Sequence, residues 1–552
     1  MVFLTSLLLN TALAQSNWPA GSTIDQAMAA QITEEGLSSV GSLASVLIPA
    51  ELPVPDQYEG ISGFNFSLED AVVNIEIVDT VITPGHGVIN ADISLLISIN
   101  DANNNFDLEF QTFWAPTYCN GYIEAFPASV TLPIALQIVT QSDGTRVLDA
   151  IVGDLELQQG LASEHIHLGC IFDVLDDFLR DYLGFSYFDW IIGLVEGELT
   201  GAIGDIAPDL EAAIEDAFSA AQISEDIDIL GNMLHIEAYP DDVNISPDGV
   251  ELVLAGSSSA PVSNCISAGS DPGGSLKTAT DLPALGNATG GVAILVADDF
   301  ANQVLYTMWR GGVLCFDLAD AGDLPLNTSI LGLLAGDAFN EFFPEPSPLL
   351  ISTSPQSPPI IYWEGEHDIN VVIEGLGLDI FATVNQRISR LIGLQLDVDL
   401  GADLEFDGNT GAMNIVVDFD PNAIDVSIAF NELAPDANDA IIEQFSGVFS
   451  SLIDPIIGSA LGDLAFTLGS MEGVGLTSLE SRAAGPYGDG LEASAGLGPV
   501  SYGSGDGCGG EDGCGGGCGG DSAGCSSARV KSRTLLALFP LLLVAFRRSR
   551  HG

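Results

Sequence analysis

From Ile89 to Ile99 the odd positions Ile89, Ala91, Ile93, Leu95, Ile97 and Ile99 are apolar, while Asn90, Asp92, Ser94 and Ser98 are polar and only Leu96 is out of step. A period of two places one set of side chains on each face of a strand, so this segment predicts a strand with one dry face and one wet face. The same alternation returns at Leu396, Val398 and Leu400 around Asp397 and Asp399, and at Ile424, Val426 and Ile428 around Asp425 and Ser427. Asp248-Gly249 and Asp407-Gly408 supply residues that tolerate tight hairpin turns. Between the alternating runs the apolar residues change to helical spacing. The pattern predicts a helix over roughly Thr23 to Ile48, strands from about Ile61 to Gln158, a second helix within Ile171 to Ala221, and strands again to Ala255. A second pass of the same order runs from near Gly291 to near Val500, with its closing helix over 439–466. The fold class is α+β, duplicated, with antiparallel sheets.

The helical segments are apolar on more than a narrow stripe. Ile441, Ile442, Phe445, Val448, Phe449, Leu452, Ile453, Ile456 and Ile457 follow helical spacing, with Pro455 placed to kink or divide the helix. Phe178, Leu179, Tyr182, Trp190 and Ile191 do the same in the first half, and Ile32, Leu37, Val40, Leu43 and Leu47 mark the opening segment. Two readings stand for such side chains. They pack a helix against a sheet, the usual fate of apolar residues, or they line a pocket for an apolar ligand.

Several segments resemble one known family. Residues 31–55, QITEEGLSSVGSLASVLIPAELPVP, are similar to the opening helix and proline-bearing exit of the bactericidal/permeability-increasing and lipopolysaccharide-binding protein family, within the TULIP lipid-binding superfamily. Residues 291–318, GVAILVADDFANQVLYTMWRGGVLCFDL, resemble the start of that family's second barrel: a strand, an Asp-aromatic turn, a short helix and a further strand. The closing helix followed by terminal strands fits the same order, and together the likeness spans roughly residues 23 to 500. The resemblance implies a boomerang of two barrels, each a long twisted antiparallel sheet wrapped around a long apolar helix, joined by a central sheet. It also implies an apolar lipid pocket in each half and no chemistry.

The implied organisation is an N-terminal barrel over 17–255, a linker and central region over 256–290, and a C-terminal barrel over 291–500. The flanking segments read as addresses. Val2 to Leu9 is apolar and Ala12-Leu13-Ala14 offers a small-x-small cleavage site, so residues 1–14 read as a secretory signal, though one without the usual basic start. Residues 501–527 are rich in Gly and Cys, and 528–552 join an apolar stretch to Arg547, Arg548 and Arg550. That layout resembles the myxobacterial C-terminal sorting signal of the MYXO-CTERM type, which implies processing and lipidation at Cys525. The other reading is a plain hydrophobic tail anchor. Both lead to a membrane surface.

Four cysteines lie in the body, two per half, so Cys119 with Cys170 and Cys265 with Cys315 are the economical disulfides of an exported chain, with free buried thiols as the other reading. Charge departs most from the family. Thirteen Lys and Arg stand against 77 Asp and Glu, and before residue 256 only Arg146 and Arg180 are basic. Such a surface disfavours nucleic acid and direct capture of anionic headgroups. Catalytic and metal motifs are wanting. Asp101, Asn103, Asn105 and Asp107 begin like a calcium loop, but Phe106 takes the place of the turn glycine, so a polar hairpin tip is expected. Glu164, His165, His167 and Cys170 are the one metal-like cluster, with both histidines expected on one strand face and no second ligand group to complete a site. No catalytic residue, metal or cofactor is expected. The sequence predicts an exported protein of the outer membrane or cell surface that binds, and in one version transfers, lipids or other hydrophobic ligands. The alternative is a structural or adhesive surface protein with fully packed barrels.

Overall fold

The computed structural model describes residues 17–499 apart from 42–49, 62–63, 112–115, 154–155, 170–189, most of 191–222, 230, 268, 278–281, 283–284, 286–289, 319–326, 330, 333–338, 340–341, 385, 409–411, 419–423, 446–465, 468–473 and 486. Most of the described chain is strand, arranged in antiparallel sheets, with few helices. It divides into two compact units, one of residues 32–219 with 242–251 and one of residues 1–31, 220–241 and 252–552.

In the unit of residues 32–219 a ten-stranded sheet is organised by one strand, Pro116–Thr140, 25 residues long. Along one edge it pairs with Ile89–Ile99 and then Phe106–Gln111; along the other it pairs in turn with Ile166–Leu168, Glu156–Gln159 and Arg146–Val152. Alternation decides which face is dry. The odd residues from Ile89 to Ile99 are buried, as their spacing predicts, and from Ala91 to Ile99 they join Phe126, Ala128, Val130 and Leu132 in one cluster. Fully burying each aliphatic side chain of this kind contributes about 1.5–3 kcal/mol. Two prolines sit inside the long strand, where they cannot donate to the ladder. Each faces a glycine across the edge: Gly160 donates to the Pro127 carbonyl at 2.8 Å and Gly153 to the Pro133 carbonyl at 2.7 Å. A Cβ on Gly153 would lie 2.9 Å from the Pro133 ring, so the small residue makes that approach practicable.

The 101–107 segment corrects an expectation. It is not a tip joining two strands paired with each other, because Ile89–Ile99 and Phe106–Gln111 follow one another along the same edge of the long strand. The turn between them is built on Asp101, whose Oδ1 accepts from the Asn103 and Asn104 amides at 2.6 and 2.8 Å. Phe106, which stands where a calcium loop needs glycine, is buried and begins the next strand. Asn100 precedes the turn with a left-handed φ of 52°. Its Oδ1 accepts from the Val72 amide at 2.8 Å, its Nδ2 donates to the Asp70 carbonyl at 3.0 Å, and its own amide donates to the Val72 carbonyl at 3.0 Å.

The other unit repeats the device. The 21-residue strand Arg387–Asp407 pairs along one edge with Ile369–Val384 and along the other with Ile424–Phe430 and Ala412–Asp418. Leu396 and Val398 are buried and Asp397 and Asp399 exposed, as the alternation predicts. A bulge falls between Ile373 and Leu376, where Gly375 takes a φ of +69° and donates its amide to Asp397 Oδ1 at 2.7 Å.

A seven-stranded sheet in this unit corrects the first helix. Ile24–Thr33, expected as helix, is a strand between Gly249–Ser259 and Val292–Ala297, and helix is described only over Glu34–Gly41. Ala29 packs in a cluster with Ala293 and Leu295, while its neighbour Ala30 packs with Ile294 and Ala495. Both faces of the strand are thus dry, the alternation is erased, and a nearly continuous apolar run reads like a helix.

The longest helix among the described residues is Asp298–Gly311, which sinks Phe300, Tyr306 and Trp309. It is held by buried polar groups: Gln303 donates to the Ser22 carbonyl at 2.7 Å and accepts from the Ser258 amide at 3.0 Å, and Asn302 makes a pair of bonds with Ile361. The long apolar helices expected over Ile171–Ala221 and 439–466 are not seen as such. Helical backbone is described at positions between 190 and 215 and over 438–445, and the remainder lies outside the described residues. No described helix is long and apolar enough to cross a membrane.

Asn100 generates a stability prediction. Asn100→Ala removes both side-chain bonds from a buried position and leaves a left-handed residue with a Cβ, so unfolding in urea should show a loss of about 1–3 kcal/mol. Asn100→Asp, which keeps the acceptor and loses the donor, should fall between the two; an unchanged midpoint for Asn100→Ala would contradict the clamp.

Candidate ligand-binding site

The sequence-predicted pocket residues separate into three groups. In the unit of residues 32–219, Leu37 is buried with Ile89, Ile134, Ile245 and Val250, and Ile32 is half-buried against that cluster. Leu37 is thus a packed core position, with Ile32 at its margin. Trp190 differs, because it and Ile192 lie half-buried on the dry face of the ten-stranded sheet. Ile77, Val152, Leu157 and Leu168, spread along the sheet, are also half-buried against the same cluster. In the other unit Ile441 and Phe445 are 0% and 3% exposed, packed with Phe339, Ile351, Leu378 and Leu394. The side chains of Val40, Leu43, Leu47, Phe178, Leu179, Tyr182, Ile191, Phe449 and Ile453 lie outside the described residues, as do Cys170 and Cys525.

One edge of the ten-stranded sheet carries a polar cap that periodicity does not show. Arg146–Val152 pairs with the long strand on one side only, and on its other side Glu211 Oε1 accepts from the Val152 amide at 2.8 Å and Glu215 Oε1 from the Ala150 amide at 3.4 Å. Two carboxylates four residues apart share one helix face. Here they cap amides that a further strand would otherwise take. The i, i+4 spacing was readable, but its target required the sheet register.

Cys265 and Cys315 form a disulfide with Cα atoms 6.4 Å apart. Cys119 is buried and also disulfide-bonded. Such bonds form and persist chiefly in oxidising compartments and are consistent with export.

The histidines expected on one strand face diverge. His165 lies in the short turn Ser163–His165, where its Nδ1 meets the Ala162 amide at 3.0 Å, whereas His167 lies on the strand, stacked on Tyr122 and 3.1 Å from Glu124. The chain turns between them, so strand periodicity does not apply. Among the described residues no three His, Cys, Asp or Glu side chains are grouped to hold a metal.

Two other histidines carry charge more readily than usual. Hydrogen bonds from its ring to the Glu237 and then the Asp226 carboxylate raise the pKa of His235, and the Asp403 carboxylate, 3.0 Å from His367, raises that of His367. A raised folded-state value gives stability that is complete below the unfolded histidine value of about 6.5 and is lost as pH rises through the folded value. His367→Gln should therefore flatten the fall of stability above about pH 6.5 relative to the parent protein. Thermal unfolding of both proteins from pH 5.5 to 8.5 checks this, and parallel curves would contradict it.

No family model matches the sequence, and no curated protein does. Among solved structures, the chain is similar to lipopolysaccharide binding protein at 13% identity and a TM-score of 0.48, over 87% of this chain and 100% of that one. It also matches P47 of Clostridium botulinum E1 at 9% identity and a TM-score of 0.22, over 86% of this chain and 100% of that one. A third match is Epiphyas postvittana Takeout 1, at 11% identity and a TM-score of 0.20, over 32% of this chain and 89% of that one.

Proposed function

We propose that the chain is an exported protein that holds a lipid or other hydrophobic molecule in the manner of the TULIP superfamily, with a principal site on the dry face of the ten-stranded sheet. The observation that carries this reading is the incomplete burial of Trp190 on that face. Trp190 and Ile192 are only half-buried against the cluster on that face, and an acyl chain laid over them removes their remaining apolar surface from water at about 25 cal/mol per Å². Trp190 adds a large, rigid apolar contact with a polar N–H at one end. Glu211 and Glu215 bond a helical segment to the Arg146–Val152 edge of the same sheet.

The barrel-around-helix architecture, the boomerang and attachment to the outer surface through a processed tail at Cys525 belong to this proposal. The disulfide and the family resemblance of residues 31–55 and 291–318 support export and fold kinship. The alternative, a packed scaffold or adhesin, is favoured in the second unit by the complete burial of Ile441 and Phe445. That half contributes stability around these residues, and ligand is expected chiefly in the first.

Fluorescent-lipid uptake by delipidated protein tests the division. Trp190→Glu should lower uptake about tenfold or more with little loss of stability, because it places a charge on the apolar wall. Ile441→Ala should instead cost about 2–5 kcal/mol of stability and leave uptake in the first unit intact. Folded, delipidated parent protein that takes up no lipid would end the ligand-binding reading.

A further inference from the structure

The wet face of the ten-stranded sheet carries two large aromatic side chains that core packing does not explain. Tyr58 is 69% exposed and Tyr118 is 68% exposed. The register places them in one row across four strands: Tyr58 opposite Ser67, Ser67 opposite Glu109, and Glu109 opposite Tyr118. At about 4.8 Å per strand their Cα atoms stand about 14 Å apart, with Ser67 and Glu109 forming the floor between them. Glu69 shares this face, two residues along from Ser67, and accepts from the Tyr58 hydroxyl at 3.3 Å. The Tyr118 hydroxyl is hydrogen-bonded to Glu109. Ser67, between the tyrosines, is only 5% exposed and its hydroxyl has no hydrogen-bond partner.

We propose that Tyr58, Tyr118, Glu69 and Glu109 form a site for a small organic ammonium cation, of which the trimethylammonium group of choline is the type, seated above Ser67. The physical reason is the match of a diffuse positive charge to its surroundings. Aromatic faces attract such a cation through their quadrupole, and a phenol that donates to a carboxylate has a more electron-rich ring. The neighbouring carboxylates raise the pKa of both tyrosines, so the rings remain neutral phenols. Glu69 and Glu109 supply the countercharge, and an alkylated ammonium loses less hydration than a metal ion on reaching them. The strongly acidic body raises the local concentration of any cation. This site lies on the face opposite the proposed lipid site and does not depend on it.

The test uses the full chain with tyrosine ring labels read by NMR. Tetramethylammonium chloride should shift two tyrosine signals saturably, beyond the effect of sodium chloride at the same ionic strength. Tyr118→Ala and Glu109→Gln should each weaken this about fivefold or more, while Tyr118→Phe, which keeps the ring, should retain most of it. Vesicles of phosphatidylcholine and of phosphatidylglycerol separate the sources. Phosphatidylcholine binding that Tyr118→Ala reduces assigns a lipid headgroup, and a response to free choline without vesicle binding assigns a soluble cation; either supports the site. Equal responses to sodium and tetramethylammonium, or a tetramethylammonium response untouched by Tyr118→Ala and Glu109→Gln, would overturn it.

Discussion

Each of the two large sheets depends on one strand that is longer than any partner on its second edge. Pro116–Thr140 and Arg387–Asp407 must satisfy their backbone groups over 25 and 21 residues while burying one face. Unpaired buried amides and carbonyls are costly, so the second edge is completed piece by piece. Three short strands serve the first sheet and two the second. The Gly153–Pro133 and Gly160–Pro127 contacts mark the ends of two of these pieces. Where Arg146–Val152 has no further strand, Glu211 and Glu215 supply acceptors to its amides. The dry face and the helix upon it therefore follow from the need to finish the ladder.

How much of this was legible depended on whether one face stayed wet. Ile89–Ile99 and Leu396–Leu400 announced themselves because Asp, Asn and Ser alternate with aliphatics, and the structure buries the apolar set apart from the half-buried Leu400. Ile24–Thr33 was misread because its neighbours cover both faces, with Ala29 and Ala30 in different clusters. The 291–318 order of strand, helix and strand was legible, since Asp298–Gly311 is amphipathic and ends at Gly312, which takes a left-handed φ of 87°. The partners of its polar residues were not, because Gln303 reaches Ser22, 281 residues away.

The candidate site was legible only in kind. Apolar helical spacing singled out Trp190 and Ile441 alike, yet one is half-buried against its cluster and the other is sealed. That difference is a matter of packing between distant segments, which periodicity does not encode. The wet-face row of Tyr58, Ser67, Glu109 and Tyr118 was invisible for the same reason, because it exists only once four strands are in register. The acidity of the chain, by contrast, was plain in composition, and its wet strand faces carry residues such as Asp397, Asp399 and Asp425 in the open.

The central claim is that the apolar face beneath Trp190 is covered by a ligand in the working protein. Mass spectrometry of organic extracts from protein purified without added lipid tests it most directly. The account predicts an apolar molecule in near-stoichiometric amount from the parent protein and a much smaller amount from Trp190→Glu prepared in parallel. A folded parent protein that yields no more extractable lipid than the variant, with an intact mass equal to the polypeptide alone under native conditions, would contradict it.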